Sequence, residues 1–486
     1  MSEKKNLKIS VFVGLFWKFA ESACADVVSF IVSVILARLL LPADYGEVSL
    51  VNVFIVIANV FVVNGLGTAL VQKKDADDLD FSSVFYVNLI FSICLYLIIW
   101  ICAPSVAKFY NMPHLAIVLR VLAVKIIFAA INSIQNAYVS RKMMFKKFFY
   151  ATIVGTIISA LIGIAMAYKG FGVWALVAQI LTNSAIDTLV LWFTVKWRPK
   201  LMFSFSRLRG LISYGWKILM SSLIKVGYDQ LSNLVIGKLY TSEDLAFYSR
   251  GKKYPDLVVT DINSSISAVL FPAIAKHQDD YEKVKSMTRR SIKTSTYVMT
   301  PLLIGLAALS EPLVSWMLTD KWLPCVPYMR ICCFYYMLQP VQTANLQSIR
   351  AIGRSDIILK LDIVKRGCGL LFLLLFMNHG VMGVALAPVG MSIVAIIVNI
   401  EPNKKLIKYT YWEQLLDLVP NFCIALIMGV FVFGVSEIMK NAGISNFLIL
   451  LVGFVAGMTF YLIVSMVTKN ETLRYIINAI KDYLNK

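Results

Sequence analysis

Lysine side chains stand inside stretches of this sequence that are otherwise apolar. Lys18 and Glu21 lie three residues apart, so on a helix they share a face and can neutralise each other. Lys217, Lys225 and Asp229 fall on one helical stripe, in which Lys225 can pair with Asp229. A cation at the centre of a membrane-spanning helix costs roughly 2.5–3.5 kcal/mol. It therefore faces a cavity, pairs with an acid or extends its charge toward the headgroups.

Similar cations recur further along the chain. Arg250 and Lys253 lie in another candidate helix. Further on, Asp362 can reach Arg366 four residues later, and Lys365 is then left without an acid partner. At any single position a structural ion pair or a snorkelling cation is the simpler interpretation. Taken together, the unmatched cations favour a polar, net-positive cavity, and Lys and Arg recognise phosphate through charge-assisted hydrogen bonds.

The composition shows which elements must position these groups. The chain has 486 residues, of which 59% are hydrophobic and only 15% are charged, with a mean hydropathy of +0.73. Soluble domains carry about 45–50% apolar and about 25% charged residues. We therefore predict an all-α polytopic membrane protein. Most of the net charge of +19 is explained by basic loops, so no nucleic-acid partner is expected.

Apolar segments long enough to cross a bilayer, which takes about 20 residues, recur along the whole chain. The candidate spans cover roughly 11–37, 44–67, 82–103, 115–138, 150–168, 171–195, 211–236, 243–275, 294–310, 326–349, 356–377, 380–400, 415–438 and 444–467. With the N-terminus in the cytoplasm, the inner segments hold 29 basic residues and the outer loops hold 6. This bias predicts about 14 transmembrane helices with both termini cytoplasmic.

The first and seventh candidate spans begin alike. Gly14-Leu15-Phe16-Trp17-Lys18 opens the first, and Tyr214-Gly215-Trp216-Lys217 opens the seventh about 200 residues later. The first span continues to Pro42-Ala43-Asp44-Tyr45-Gly46, and the seventh continues to Ser242-Glu243-Asp244-Leu245-Ala246. Six spans separate the two starts, so the copies run in the same direction and predict two pseudo-symmetric six-helix lobes plus two C-terminal helices. The predicted divisions are an N-terminal lobe at 1–196, a basic cytoplasmic linker at 197–210, a C-terminal lobe at 211–401, and the last two helices with a cytoplasmic tail at 402–486.

No motif of a catalytic, metal or cofactor site stands out. The eight cysteines include no Cys-x-x-Cys pair, and the three histidines are far apart, so we expect no metal site and no cofactor. Walker loops, nucleophile elbows and zinc helices do not occur in the sequence. The segment Asn64-Gly65-Leu66-Gly67 is interpreted as a tight turn. We predict a transporter rather than an enzyme.

Several motifs, in order along residues 10 to 375, resemble a known family. They are Leu36-Ala37-Arg38-Leu39-Leu40 with Pro42 and Asp44-Tyr45-Gly46, then Gly65-Leu66-Gly67, Gly170-Phe171-Gly172-Val173-Trp174, Tyr248-Ser249-Arg250-Gly251, Val269-Leu270-Phe271-Pro272 and Lys321-Trp322-Leu323-Pro324. They are similar to Wzx-type polysaccharide flippases, and most of all to the colanic-acid exporter-like subgroup of the polysaccharide transporter family, within the multidrug/oligosaccharidyl-lipid/polysaccharide superfamily.

The resemblance implies a function and a site. Such proteins translocate undecaprenyl-diphosphate-linked oligosaccharide repeat units across the bacterial cytoplasmic membrane, by alternating access through a cationic central cavity, for surface polysaccharide biosynthesis. On this basis the substrate-binding cations are predicted to be Lys18, Lys217, Lys225, Arg250 and Lys253. The gating or ion-coupling acids are predicted to be Glu21, Asp26 and Asp229.

Partners and alternatives follow from the same reasoning. The expected partners are the lipid-linked substrate, membrane lipids, H+ or Na+ as a coupling ion, and polysaccharide polymerase and glycosyltransferases. One alternative is a multidrug/cation antiporter of the related branch, which needs acids in the spans without matching bases. Another is a non-transporting scaffold of a glycan-assembly complex.

Overall fold

The computed structural model describes residues 2–63, 66–73 and 75–484, and in this part of the chain every regular element is helical. The predicted turn at Asn64-Gly65 lies outside the described residues. The chain divides into two compact units, Met1–Ala246 and Phe247–Lys486. The prediction of an all-α membrane protein is therefore confirmed, with the membrane assignment resting on the long apolar helices described below.

The N-terminal unit contains nine helices among its described residues and the first turn of a tenth. They are α1 (Ser2–Leu39), α2 (Pro42–Val63), α3 (Leu66–Gln72), α4 (Asp78–Phe109), α5 (Leu115–Leu122), α6 (Val124–Arg141), α7 (Lys146–Tyr168), α8 (Val173–Thr194), α9 (Phe205–Leu239) and the start of α10 (Ser242–Ala275). Helices α7 and α8 pack closely together, and α1 packs along α7. Helix α9, which the repeat places in the second lobe, packs against α2, α3 and α4.

The C-terminal unit holds the rest of α10 and nine further helices. They are α11 (Tyr281–Ala308), α12 (Ser310–Leu318), α13 (Val326–Met337), α14 (Gln339–Ala351), α15 (Ser355–Phe376), α16 (Gly380–Leu406), α17 (Tyr411–Asn441), α18 (Asn446–Val467) and α19 (Glu471–Leu484). A short 3-10 helix covers Asp320–Cys325. Helix α11 packs along α17, and α15 packs along α16.

A buried carboxylate joins α11 to α17. Asp417 on α17 is 4% exposed, and it accepts hydrogen bonds from Arg289 Nε at 2.6 Å and Arg289 Nη2 at 2.8 Å. The hydroxyl of Tyr409 donates to it at 2.8 Å, and Lys293 Nζ lies 3.1 Å away. Because both cations bind the same carboxylate, it fixes the register of the two helices.

Ten helices in the described chain are long and apolar enough to cross a membrane, or eleven if the bent pair α11 and α12 is one span. Three of the predicted spans do not pass this test. Helices α9 and α15 carry several charges, and the predicted span at 326–349 is divided into α13 and α14. The chain is a multi-pass membrane protein, while the count of fourteen and the cytoplasmic termini stay predictions.

The sequence repeat reappears as the same local geometry at two helix starts. The backbone N–H of Leu41 donates to Asp44 Oδ2 at 3.0 Å, and 200 residues later the N–H of Thr241 donates to Asp244 Oδ2 at 3.2 Å. Each aspartate thus satisfies a backbone donor at the N-terminus of its helix, α2 or α10. The two halves therefore share the same contact at the start of a helix, in agreement with a parallel repeat.

The predicted linker is held firmly along the N-terminal unit. The backbone N–H of Lys200 donates to Ser82 Oγ, and that of Ser204 donates to Ser83 Oγ, both at 3.0 Å. Helix α9 begins at Phe205, so the irregular part is shorter than the predicted 197–210. Beside it, a hydrogen bond from the Asp80 backbone and one from the Arg207 guanidinium hold the pKa of Asp77 below its usual value.

Candidate functional site

The predicted pair of Lys18 and Glu21 forms on α1. Lys18 Nζ lies 2.8 Å from Glu21 Oε2, which confirms the pairing expected from a spacing of three residues. The lysine side chain is 53% exposed and the glutamate side chain is 12% exposed. The second carboxylate oxygen, Oε1, accepts a hydrogen bond from Thr152 on α7 at 3.1 Å. Glu21 is therefore held between its own helix and α7.

A polar cavity of about 280 Å³ opens beside this pair, within the N-terminal unit. Its lining brings together α1, α6, α7 and α8, and comprises Lys18, Glu21, Asn136, Phe148, Ala151, Thr152, Asp187 and Leu191. Because Lys18 is half exposed, the cavity reaches the molecular surface. We call it the α1 cavity.

A second polar cavity, of about 180 Å³, lies next to the first and shares Asn136 and Asp187 with it. We call it the α6 cavity. Its lining comprises Val63, Lys125, Phe128, Ala129, Asn132, Ser133, Asn136, Asn183, Ser184 and Asp187. One lysine lines each cavity, and Asp187 lines both. Such a concentration of amides and charges within membrane-spanning helices marks a functional site more often than a structural one.

Asp187 is positioned by the close packing of α7 and α8. A methyl group added at Gly155 on α7 would stand 3.3 Å from the carbonyl oxygen of Asn183 and 3.7 Å from Asp187 Cβ. Asn183, one turn before Asp187, donates to Ser159 Oγ at 3.3 Å. The glycine and the amide thus fix the helix that carries the aspartate. Oδ1 of Asp187 is enclosed and receives no hydrogen bond from any described residue.

The other predicted residues of the N-terminal unit lie outside these two cavities. Lys217, Lys225 and Asp229 are exposed along α9, and Asp26 is exposed on α1. None of the four is among the lining residues of the α1 or α6 cavity as the structure describes them. Their roles as substrate-binding or gating groups stay predictions, as does the pairing of Lys225 with Asp229.

In the C-terminal unit the predicted cations differ in exposure. Arg250 is 5% exposed, and its guanidinium lies 5.0 Å from the ring centre of Trp322, which is fully buried. Lys253, three residues on, is exposed. The binding roles of both stay predictions. The expectation that Lys365 is left over was wrong, because Lys365 Nζ lies 2.8 Å from Asp362 Oδ1 on the same helix face, three residues away. The pairing of Asp362 with Arg366 stays a prediction.

Sequence reasoning named only half of this site. It selected Lys18 and Glu21 but gave no role to Asp187, Lys125 or Asn183. The available signal was an aspartate, the only charged residue of its helix, with an asparagine four residues before it on the same face. Among the described residues no group of three or more His, Cys, Asp or Glu could hold a metal ion, so the site is one of single charges and amides.

A family model described as "Polysaccharide biosynthesis protein" matches residues 35–327, which is more than half of the chain. The chain is 23% identical over 475 residues to the teichuronic acid biosynthesis protein TuaB of Bacillus subtilis, covering 96% of this chain and 98% of TuaB. It is 22% identical over 368 residues to the lipopolysaccharide biosynthesis protein WzxC of Escherichia coli, covering 74% of each chain.

Among solved structures, the lipid II flippase MurJ in its inward closed conformation has the same fold. The TM-score is 0.73 at 16% sequence identity, and the match covers 92% of this chain and 99% of MurJ. At this identity the likeness shows the fold alone. The expected likeness to Wzx-type proteins is confirmed by the family match and by WzxC.

Proposed function

Because the chain belongs to the polysaccharide biosynthesis protein family, we propose that it is a flippase for undecaprenyl-diphosphate-linked oligosaccharide repeat units. In this proposal it is a transporter, not an enzyme, and lies in the bacterial cytoplasmic membrane. The translocated units supply a surface polysaccharide such as lipopolysaccharide O-antigen, exopolysaccharide or capsule. The relatives TuaB and WzxC, named for teichuronic acid and lipopolysaccharide biosynthesis, support this substrate class.

The observation that carries the proposal is the pair of polar cavities inside the N-terminal unit. Lys18 and Lys125 line them together with asparagine side chains and the carboxyl groups of Glu21 and Asp187. Ammonium groups bind phosphate oxygens, and amides bind both phosphate and sugar hydroxyls. A polar chamber among apolar helices is what an anionic, sugar-bearing lipid headgroup needs in order to cross the bilayer interior. Lys217 and Lys225, exposed on α9, extend the cationic surface in this proposal.

The driving force in this proposal includes the membrane potential. An anion that leaves a negative-inside cell gains about 2.3 kcal/mol per charge per 100 mV. Alternating access lets the protein expose the chamber to one side at a time. H+ or Na+ serves as a coupling ion. Glycosyltransferases build the glycan before translocation, and a polymerase acts on it afterwards.

The test replaces the two exposed lysines of α9 together, as Lys217→Ala with Lys225→Ala. We expect surface polysaccharide formation to stop while the protein still reaches the membrane, because the diphosphate loses two of its cationic partners. The matched control is Lys283→Ala with Lys481→Ala, which removes two exposed lysines outside the predicted spans. Normal polymer from the α9 double variant would contradict the assigned roles of these lysines.

The two alternatives make different predictions. A multidrug antiporter would raise the drug resistance of overexpressing cells and would leave surface polysaccharide unchanged when deleted. A scaffold would support polymer formation but would not move a labelled lipid-linked sugar in vesicles that contain only the pure protein. The flippase proposal expects no gain in resistance and expects leaflet exchange.

A further inference from the structure

Asp187 occupies an unusual position, since it lines both polar cavities of the N-terminal unit. Its helix, α8, is one of those that can cross a membrane. Oδ1 is enclosed by protein and receives no hydrogen bond from a described residue. A carboxylate that is buried away from water and accepts no hydrogen bond loses its hydration energy without compensation. A proton on this oxygen removes the charge, and with it the cost.

The charged groups around Asp187 come from two other helices. Glu21 on α1 shares the α1 cavity and repels a negative charge on Asp187. Lys18 shares that cavity but is bound to Glu21. Lys125 on α6 shares the α6 cavity. Within the described chain neither lysine is close enough to Asp187 to form an ion pair with it. The lining residues that α2 and α7 contribute are uncharged.

We propose that Asp187 is a proton-binding site that compensates the charge of the diphosphate headgroup. When a diphosphate enters the cavities, Oδ1 of Asp187 takes up one proton from water that reaches the α1 cavity. The neutral carboxyl no longer repels the phosphate oxygens, which the ammonium groups of Lys18 and Lys125 then contact. This coupling rests on the proposed function, whereas the proton site itself rests on the geometry alone.

Thermodynamic linkage couples proton binding at Asp187 to ligand binding in the cavities. A bound polyanion makes any nearby carboxylate costlier to keep ionised, so ligand binding and proton binding at Asp187 must reinforce each other. Glu21 keeps its charge in this scheme, since Lys18 and Thr152 both donate to it.

The experiment uses the full-length purified protein and farnesyl diphosphate, a short isoprenoid diphosphate, as the probe. Titration calorimetry in buffers of different protonation enthalpy gives the number of protons taken up per ligand bound. We expect net uptake by the wild type and a clear loss of that uptake in Asp187→Asn, which mimics the protonated side chain. The Asn variant should bind the probe at least as tightly, with an affinity that no longer rises as the pH falls.

A second measurement does not depend on the ligand. Infrared difference spectra between alkaline buffer and a mildly acidic one, in which exposed carboxylates stay ionised, should show a carboxyl C=O band in the wild type that is missing in Asp187→Asn. Glu21→Gln should keep the band but shift the pH at which it appears. The control Asp279→Asn, an exposed loop residue, should behave as the wild type in both experiments.

The outcomes are distinguishable. Equal proton uptake by the wild type and Asp187→Asn would overturn the coupling, and a wild-type spectrum without the pH-sensitive band would overturn the proton site. If farnesyl diphosphate did not bind the wild type at all, the proposed function and the coupling would both be contradicted. The infrared band would then still decide whether Asp187 binds a proton.

Discussion

Replacing Asp417 tests how much one buried carboxylate stabilises the C-terminal unit. Its side chain is 2% exposed and binds Arg289, Lys293 and Tyr409, so Asp417→Ala removes every one of these contacts at once. Removing one partner of a fully buried ion pair costs about 3–5 kcal/mol. The arginine and lysine side chains here are 43% and 23% exposed, so water can solvate their charges and offset part of the lost free energy. We expect a loss of about 2–3 kcal/mol.

The assay is thermal unfolding of the purified protein in detergent, followed by intrinsic fluorescence. A loss of this size lowers the unfolding midpoint by roughly 4–12 °C in a unit of this length. Asp417→Asn keeps one acceptor and should lie between Asp417→Ala and the wild type. The control is Asp356→Ala, which breaks a solvent-exposed pair with Arg354 and should leave the midpoint unchanged. An unchanged midpoint in Asp417→Ala would refute the idea that this carboxylate fixes α11 to α17.

Two further predictions concern the N-terminal unit. A methyl group at Gly46 would stand 1.7 Å from the carbonyl oxygen of Ser242, so Gly46→Ala must displace the start of α10. It should lower the unfolding midpoint, whereas Gly434→Ala, which meets open space, should not. Because the folded pKa of Asp77 lies below its ordinary value of 3.8, its contribution to stability is complete above that value and is lost as the pH falls through the folded pKa. Unfolding midpoints measured against pH should show this acid loss in the wild type and not in Asp77→Asn, which already lacks the charge that binds Arg207.

The features that sequence reasoning predicted are those that depend on local spacing. Lys18 and Glu21 pair because a helix places residues three apart on one face. The repeat was visible because Asp44 and Asp244 each satisfy a backbone donor at a helix start, which restricts the residue type. The helical membrane architecture followed from the composition, because backbone N–H and C=O groups in lipid must be hydrogen-bonded within the protein, and a helix does this within one segment.

The features that it missed depend on contacts between helices distant in sequence. Asp187 became part of the site because α1 and α6 bring charged groups to it from other parts of the chain. Spacing alone also could not show that Lys365 binds Asp362, because residues three and four positions away both fit one helix face. Packing decides such choices, and it cannot be read from a single sequence.

The most direct test of the central claim is leaflet exchange in vesicles that contain only the purified protein. A fluorescent undecaprenyl-diphosphate-linked oligosaccharide is placed in both leaflets, and its accessibility to an external, membrane-impermeant enzyme is followed over time. The account predicts that the enzyme reaches nearly all of the labelled glycan. Accessibility limited to the outer half, as in protein-free vesicles, would contradict it.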